Sequence, residues 1–210
     1  MYETLETIGR GSFGLIRKVK RISDGKILAQ KEINYGQMSQ LEKQQLVNEV
    51  NILQELKHPN IIRYYERIID TSASKIYIIT EYCDGGDLAS LISKCRAQTT
   101  LLPEDTIWCI LAQLVLALQE CHYGSKRVHG TILHRDIKPE NSNFKLLNQV
   151  FLDRKMNAKL GDFGLCKVVE SPSSLKQTFV GTPVYMSPEL IASSGYNTKS
   201  DIWALGKCMF

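Results

Sequence analysis

Apolar and polar residues alternate along much of the first eighty positions, which is the pattern of half-buried β-strands. Five stretches rich in β-branched and aromatic residues predict strands at residues 2–8, 15–21, 27–33, 61–69 and 76–81. Asp24-Gly25 supplies turn chemistry between the second and third of these strands. The first part of the chain is therefore predicted to be a small, strand-rich unit.

One helix interrupts these strands. Leu46, Val50 and Leu53 recur at positions i, i+4 and i+7, and His58-Pro59 predicts the end of that helix. The apolar residues in this stretch therefore form one face of a helix, which can pack against the predicted strands.

The second part of the chain has helical spacing. Pro103, Glu104 and Asp105 open a segment in which apolar residues form a stripe. The members of this stripe are Ile107, Ile110, Leu111, Leu114 and Leu118. A last helix is predicted over residues 199–206. The fold class is therefore α+β, with a β-rich unit at residues 1–83 and a helical unit at residues 84–210.

Composition and charge narrow the classes of function. Among the 210 residues, 43% are hydrophobic and 23% are charged, as in a globular protein. The net charge of +4 comes without long basic runs, so nucleic-acid binding is not expected. The most apolar segment, residues 108–118, is interrupted by Gln113 and is too short for a membrane span. The N-terminus lacks the apolar run of a secretory signal.

The six cysteines show no CxxC pair and no metal-ligand spacing. They indicate reduced thiols in a cytosolic or nuclear protein. Cys166 would be reactive if it faced a functional site, although an ordinary structural role is the favoured interpretation.

The densest chemical signal is a run of charged and amide residues in the second part of the chain. It reads His134-Arg135-Asp136-Ile137-Lys138-Pro139-Glu140-Asn141 and is followed by Asp162-Phe163-Gly164. This order of a base, a lysine, an amide and a second aspartate resembles the catalytic core of the protein kinases. The resemblance implies a bilobal protein-kinase fold, with a β-rich N-lobe and a helical C-lobe, and transfer of phosphate from ATP with Mg²⁺.

The resemblance also implies a role for each polar residue in this run. Asp136 is the expected base for the substrate hydroxyl, and Lys138 neutralises the γ-phosphate. Asn141 and Asp162 are the expected Mg²⁺ ligands. Lysine at position 138 is typical of serine/threonine kinases and not of tyrosine kinases.

A glycine-rich loop near the N-terminus is the candidate phosphate cradle, because a loop without Cβ atoms can approach phosphates closely. Alone, the motif would also fit a glycine-rich hairpin, but Lys31 follows at the spacing found in kinases. The resemblance assigns the nucleotide site to Ile8, Gly9, Gly11, Gly14, Ile16, Ala29, Lys31, Thr80, Glu81, Cys83 and Asp87. Two roles for Asp87 stay open, namely contact with the ribose and capping of the next helix.

Lys31 is expected to hold the α- and β-phosphates and to pair with a carboxylate on the helix that interrupts the strands. Glu49 is the candidate partner, because it borders the apolar face of that helix. An isolated glutamate on an amphipathic helix is usually only solvated, and Lys31 is what singles this one out.

Regulation is implied by Arg135, which lies beside the catalytic aspartate and can pair with a phosphorylated activation loop. The hydroxyl candidates are Ser171, Ser173, Ser174, Thr178 and Thr182. Thr178 is the predicted phosphorylated residue, and Thr182 is expected to contact Lys138 and Asp136.

Further runs resemble the NIMA-related kinases, and most of all the mitotic, centrosome-associated member. They are residues 23–28, 56–61, 64–70, 81–88 and 179–189. The family implies a serine/threonine kinase with protein substrates in cell-cycle and microtubule or ciliary processes, with neither nucleic acid nor membrane as partner. It implies a cytoplasmic or nuclear location, including the centrosome or cytoskeleton.

Two departures from the family pattern leave an alternative open. Eight extra residues, 142–149, separate Asn141 from the following strand, and Asn143 competes with Asn141 for the metal. The helical lobe is expected to be incomplete, with Asp201 holding the backbone near His134 and Glu189 lacking an arginine from a later helix. The alternative to an active kinase is a catalytically silent binding module, or an incomplete splice or gene-model product. An oxidoreductase is excluded, because no βαβ unit follows Gly14.

Overall fold

The structure is a computed structural model. It describes residues 1–11, 14–124, 130–134, 150–161, 163, 167–169, 187–192 and 195–208. Contacts divide the chain into a first unit, Met1–Gln54 with Ile62–Tyr82, and a second unit, Glu55–Ile61 with Cys83–Phe210. The α+β class is confirmed, since the first unit contains a sheet and the second contains most of the helices. The boundary predicted between residues 83 and 84 did not anticipate that residues 55–61 group with the second unit.

The alternating residues of the first unit form a five-stranded antiparallel sheet in the order β1-β2-β3-β5-β4. Its strands are β1 (Tyr2–Gly11), β2 (Gly14–Arg21), β3 (Ile27–Asn34), β4 (Tyr64–Asp70) and β5 (Lys75–Glu81). Helix α1 (Gln40–Glu55) follows β3 and packs Val50 against Ile33 and Ile78. The opposite face of the sheet buries Val19, Leu28 and Ile79. Both faces of this sheet therefore contribute to the core of the unit.

Two predicted strand boundaries need correction. β1 continues to Gly11 because its last residues pair with β2, so the first arm of the glycine-rich loop is part of the strand. β4 starts at Tyr64 and not at residue 61. Ile61 and Ile62 are buried in the loop after α1, where Ile61 forms a parallel bridge with Leu160. Ile61 and Ile62 are therefore apolar because they are buried in a loop, and they are not part of β4.

A buried carboxylate links three strands of the first sheet. Glu32 on β3 is 8% exposed and forms ion pairs with Arg17 on β2 and, at 2.6 Å, with Lys75 on β5. The Lys75 hydrogen bond lowers the pKa of Glu32; burial acts in the opposite direction, and Arg17 lowers the pKa further. This ion-pair cluster stabilises the alignment of β2, β3 and β5, and the sequence analysis did not anticipate it.

The second unit begins with short elements and continues with helices. Its helices are α2 (Leu88–Ala97), α3 (Glu104–Gln119), α4 (Pro188–Ile191) and α5 (Thr198–Cys208), and a π-helical turn (Glu120–Gly124) extends α3. Its strands are β6 (Gly86–Asp87), β7 (Thr131–Leu133), β8 (Val150–Leu152), β9 (Ala158–Leu160) and β10 (Lys167–Val169). They form a three-stranded sheet, β6-β8-β9, and a two-stranded sheet, β10-β7.

Helix α3 begins after Pro103, as predicted. The apolar stripe is only partly buried, because Ile110, Leu114 and Leu118 are buried whereas Ile107 and Leu111 are half-buried. None of the helices that the structure describes combines the length and apolar character needed to cross a membrane.

A carboxylate on α5 is the polar centre of the second unit. Asp201 is fully buried, and its Oδ2 accepts hydrogen bonds from His122 Nε2 at 2.8 Å and from the His134 amide at 3.0 Å. Its Oδ1 accepts a hydrogen bond from the Tyr196 hydroxyl at 2.5 Å. The expected contact of Asp201 with the backbone at His134 is therefore present.

Burial acts to raise the pKa of Asp201, but the His122 hydrogen bond, the proximity of His134 and the Tyr196 hydroxyl outweigh it. The pKa of Asp201 consequently lies below its usual value of 3.8. The native structure thus favours the ionised carboxylate.

Glu189, for which the sequence predicted the loss of an arginine partner, has a hydrogen-bond donor within the described residues. Its carboxylate accepts a hydrogen bond from the Ser200 hydroxyl at 2.5 Å, because the short helix α4 lies beside the start of α5. Burial acts to raise the pKa of Glu189, but this hydrogen bond contributes to holding it below the usual value.

We expect Gly14→Ala to destabilise the chain by about 1–3 kcal/mol, whereas Gly9→Ala is close to neutral. An added Cβ at Gly14 would lie 1.7 Å from the Glu32 carbonyl oxygen, and at Gly9 it would lie 3.6 Å from the Ile16 side chain. Urea unfolding of both variants measures the difference. Equal destabilisation by the two alanine substitutions would contradict the close approach of Gly14 to the Glu32 carbonyl oxygen.

We expect Asp201→Asn to lower the free energy of unfolding by about 2–4 kcal/mol at neutral pH, because an amide cannot replace both acceptor oxygens. A lowered native pKa means that the stabilisation by Asp201 is present above pH 3.8 and is lost as the pH falls through the native pKa. The difference in the free energy of unfolding between the wild type and Asp201→Asn should therefore become smaller in acid. Unfolding curves between pH 3 and pH 8 test this, with the exposed Asp105→Asn as control; a pH-independent difference would refute it.

Candidate functional site

The central feature of the first unit is an ion pair between β3 and α1. Lys31 Nζ lies 3.1 Å from Glu49 Oε1, and the side chains are 38% and 9% exposed, respectively. Lys31 lies in the middle of the sheet, where it is paired with Ile16 on β2 and Ile78 on β5. Glu49 faces the sheet, since it is 8% exposed and its carboxylate reaches Lys31 on β3. The structure thus brings together the two residues that the sequence analysis paired.

Strand register places the other predicted nucleotide residues of this unit near Lys31. Side chains directly opposite one another in an antiparallel sheet share a face, and residues two apart along a strand also do. Ala29 is two residues before Lys31 and opposite Thr80, and Ile16 is opposite both Lys31 and Gly9. These residues therefore lie on the face of the sheet that carries the lysine.

The predicted hinge residues are already engaged in local contacts. The Glu81 amide donates to the Arg63 carbonyl at 2.8 Å, and the Glu81 carboxylate accepts from the Arg63 amide at 3.3 Å. The Cys83 carbonyl accepts a hydrogen bond from the Gly86 amide at 3.4 Å. Cys83 is half-buried and is not part of a disulfide. Ile8 is 41% exposed at the end of the predicted strand.

Asp87 caps helix α2. Its Oδ1 accepts a hydrogen bond from the Ser90 amide at 2.7 Å, and its Oδ2 accepts one from the Ser90 hydroxyl at 2.8 Å. Of the two roles left open by the sequence, the capping role is the one observed.

The described residues of the two motifs, His134 and Phe163, lie against one another in the second unit. His134, which precedes Arg135 and Asp136, stacks edge-to-face on Phe163 with ring centres 5.1 Å apart. His134 Nε2 lies 3.3 Å from the carbonyl oxygen of Gly161. A carbonyl can only accept, so Nε2 carries the proton in this contact. Phe163 and His134 are both fully buried.

Strand pairing supports the same arrangement. Strand β7 leads into His134, and strand β10 follows the Asp162-Phe163-Gly164 motif. The two strands pair, with Leu133 opposite Lys167. Strand β8 begins at Val150 and pairs with β9 and β6. The strand expected after Asn141 is therefore present, displaced along the sequence by residues 142–149.

Several predicted residues lie outside the described part of the chain: Arg135, Asp136, Lys138, Asn141, Asp162, Cys166, Thr178 and Thr182. Their roles stay predictions. Within the described ranges, no cluster of three or more His, Cys, Asp or Glu residues could hold a metal ion.

A polar junction that the sequence pattern did not predict lies beside β9. Asn60 Nδ2 donates to the Ala158 carbonyl at 2.9 Å and to Gln113 Oε1 at 3.2 Å, and Gln113 Oε1 also accepts from the Ala158 amide at 2.5 Å. The available signal was Gln113 itself, since it interrupts the apolar run of residues 108–118.

The comparisons with known proteins agree with this geometry. A family model described as Protein kinase domain matches residues 2–210. The serine/threonine-protein kinase Nek2 of Homo sapiens is 54% identical over 209 residues, which cover 100% of this chain and 45% of that protein. The probable serine/threonine-protein kinase nek2 of Dictyostelium discoideum is 54% identical over 205 residues, covering 98% of this chain and 46% of the relative.

A fungal relative shows the same relation at greater distance. The G2-specific protein kinase nimA of Emericella nidulans is 46% identical over 230 residues, which cover 100% of this chain and 32% of that protein. The chain thus spans less than half the length of these relatives. The match over residues 2–210, together with the formed Lys31–Glu49 pair and the contact between the two motifs, shows that the chain belongs to the protein kinase family.

Proposed function

We propose that this chain is the catalytic part of a serine/threonine protein kinase, which transfers the γ-phosphate of ATP to serine and threonine hydroxyls of proteins. The observation that carries the proposal is the ion pair between Lys31 and Glu49. A lysine held by a buried carboxylate at the centre of a sheet has a defined position, and it can therefore present its charge to the α- and β-phosphates. A silent binding module has no need of this pair.

Nucleotide binding is proposed for the sheet face that carries Lys31. The side chains of Ile16 and Ala29 offer apolar contact to the purine, and Ile8 borders the same loop. Gly9, Gly11 and Gly14 allow the chain to approach the phosphates without Cβ atoms. Thr80 is a small residue at the gatekeeper position, which keeps the region behind the purine accessible.

The purine edge is proposed to bond backbone groups of Glu81 and Cys83. The carbonyl of Glu81 is assigned to the purine amino group, and the Glu81 amide itself donates to the Arg63 carbonyl. The Cys83 carbonyl accepts from Gly86, and the Cys83 amide is assigned to a purine ring nitrogen. Asp87 acts first as a helix cap, and a contact with the ribose is secondary to it.

The chemical step is proposed to use Asp136, Lys138, Asn141 and Asp162. The substrate hydroxyl oxygen bonds to the γ-phosphorus while the bond to the β–γ bridging oxygen breaks, and Asp136 accepts the hydroxyl proton. Lys138 neutralises charge on the transferred group. Mg²⁺ held by Asn141 and Asp162 would neutralise the β- and γ-phosphates. The buried contacts of His134 and Phe163 support this assignment, because they hold the chain next to Asp136 and Asp162.

The biological setting is proposed from the relatives. Their printed names include a G2-specific kinase, which favours a role in the cell cycle. We extend this to microtubule or ciliary processes with partners at the centrosome or cytoskeleton, and to a cytoplasmic or nuclear location. These assignments are drawn from whole relatives, which are more than twice as long as this chain.

We expect the chain to transfer labelled γ-phosphate from MgATP to a generic serine/threonine substrate, and Lys31→Met to reduce the transfer by about 100-fold or more. Lys20→Met, an exposed lysine on β2, is the matched control and should retain the activity. Melting curves establish that all three proteins are folded. Wild-type transfer equal to that of Lys31→Met would identify a silent module instead of an enzyme.

We expect Thr178 to be the phosphorylated residue of the activation segment, with Arg135 as the cation that binds the phosphate. Mass spectrometry after incubation with MgATP should find the modification at Thr178, and Thr178→Ala should lower the transfer rate about tenfold or more. Ser173→Ala is the control and should change little. Phosphate confined to residues 171–174 would disprove the assignment.

A further inference from the structure

Strand β9 leads directly into the second catalytic motif. It ends at Leu160, and Gly161 then precedes Asp162. The position of this strand therefore limits where the motif can begin. Among the described strands, β9 lies at the edge of the sheet β6-β8-β9, where β8 pairs with one side of it and Ile61 forms an isolated bridge with Leu160 on the other. Its outer backbone groups consequently need partners from elsewhere in the unit.

Two side chains and one backbone carbonyl supply these partners. In an antiparallel ladder, alternate residues of an edge strand direct their backbone groups away from the neighbouring strand. Register pairs Phe151 with Lys159, which leaves the outward groups to Ala158 and Leu160. Ala158 bonds to Gln113 through its amide and to Asn60 through its carbonyl, and the Leu160 amide donates to the Asn60 carbonyl at 2.8 Å.

Burial makes these bonds necessary. Ala158 is fully buried, Leu160 is 4% exposed and Asn60 is 8% exposed, so water cannot replace a lost partner. Gln113 Oε1 accepts two hydrogen bonds, one from the Ala158 amide and one from Asn60 Nδ2. The oxygen thus fixes both the strand and the side chain that holds the rest of the strand edge.

We propose that Gln113 is a positioning residue for the metal-binding motif, acting through β9. This inference rests on the proposed function, since it assumes that the residue after Gly161 holds Mg²⁺ against ATP. Gln113 contacts neither the substrate nor the metal. The Gln113 carbonyl oxygen, carried by helix α3, sets the position and register of β9. It thereby sets the position of Gly161, which precedes the motif. Because both partners of this oxygen are donors, the requirement is for an acceptor and not for an amide.

That requirement separates a positioning role from simple packing. Gln113→Met keeps the length and volume of the side chain and removes the acceptor, whereas Gln113→Glu keeps the acceptor. Gln119→Met makes the same change at an exposed glutamine of α3 and is the matched control. If Gln113→Met does not fold, Gln113→Asn is used, since it keeps the amide and withdraws the oxygen by one methylene.

The experiment has three readouts: hydrogen exchange, which needs no ligand, ATP binding, which needs no catalysis, and phosphate transfer. Amide hydrogen exchange should accelerate at Ala158 in Gln113→Met and return to the wild-type rate in Gln113→Glu. Calorimetric titration with ATP, with and without Mg²⁺, should show that the metal-dependent gain in affinity falls about tenfold in Gln113→Met only. In phosphate transfer, kcat should fall together with this gain.

The outcomes distinguish this inference from the proposed activity. Unchanged exchange at Ala158 in Gln113→Met would overturn the inference, and so would faster exchange with an unchanged Mg²⁺ effect. Failure of Gln113→Glu to restore either readout would assign Gln113 to packing alone. A wild-type chain that binds ATP with Mg²⁺ but transfers no phosphate would overturn the proposed activity, while the comparison of the Gln113 variants would still decide the positioning role.

Discussion

The buried carboxylate of Asp201 constrains the whole arrangement of the second unit. An ionised carboxylate away from water is costly unless each oxygen has hydrogen-bond donors, and here a histidine ring, a backbone amide and a tyrosine hydroxyl provide them. These donors come from the π-helical turn, from the residue after β7 and from the segment before α5. Each segment can satisfy the carboxylate only in one position, so a single side chain aligns three parts of the chain that are distant in sequence.

The same principle operates at a second place in this unit. Asp201 fixes the strand that leads to His134, and the Asn60–Gln113 junction fixes β9, which leads to Gly161. His134 and Phe163 then stack between these two anchored strands. The described residues of the two motifs, His134 and Phe163, are thus held in place by buried polar groups that lie outside the motifs. This arrangement explains why Gln113 interrupts the apolar run of α3 and why Asp201 is fully buried on α5.

Sequence patterns predicted the elements of this fold better than their contacts. Alternation and turn residues predicted the strands of the first unit, because these signals are local. Glu49 was predicted as the partner of Lys31 because it borders the apolar face of its helix and Lys31 resembles the kinase lysine. Ile61 was assigned to a strand, since a buried loop residue and a strand residue look alike in sequence. Gln113 and Asn60 were missed as a pair because they are 53 positions apart and meet only through tertiary packing. Residues outside the described ranges, among them Asp136 and Asp162, remain assigned by resemblance alone.

Residues 142–149 change the length of a connection without changing the sheet that follows it. Strand β8 keeps its pairing with β9 and with β6, and the Gly85 amide donates to the Leu152 carbonyl at 2.9 Å. An added Cβ at Gly85 would lie 2.5 Å from the Asp153 carbonyl oxygen, so the chain passes this strand at close range and holds its end in place. Lengthening a loop by eight residues costs only about 1–2 kcal/mol in closure entropy. The backbone bonds of β8 are retained after the extra residues, and the sequence keeps the spacing of five residues between Asp136 and Asn141. The departure from the family pattern therefore leaves both anchored strands and the Lys31–Glu49 pair intact, which favours an enzyme over a silent module.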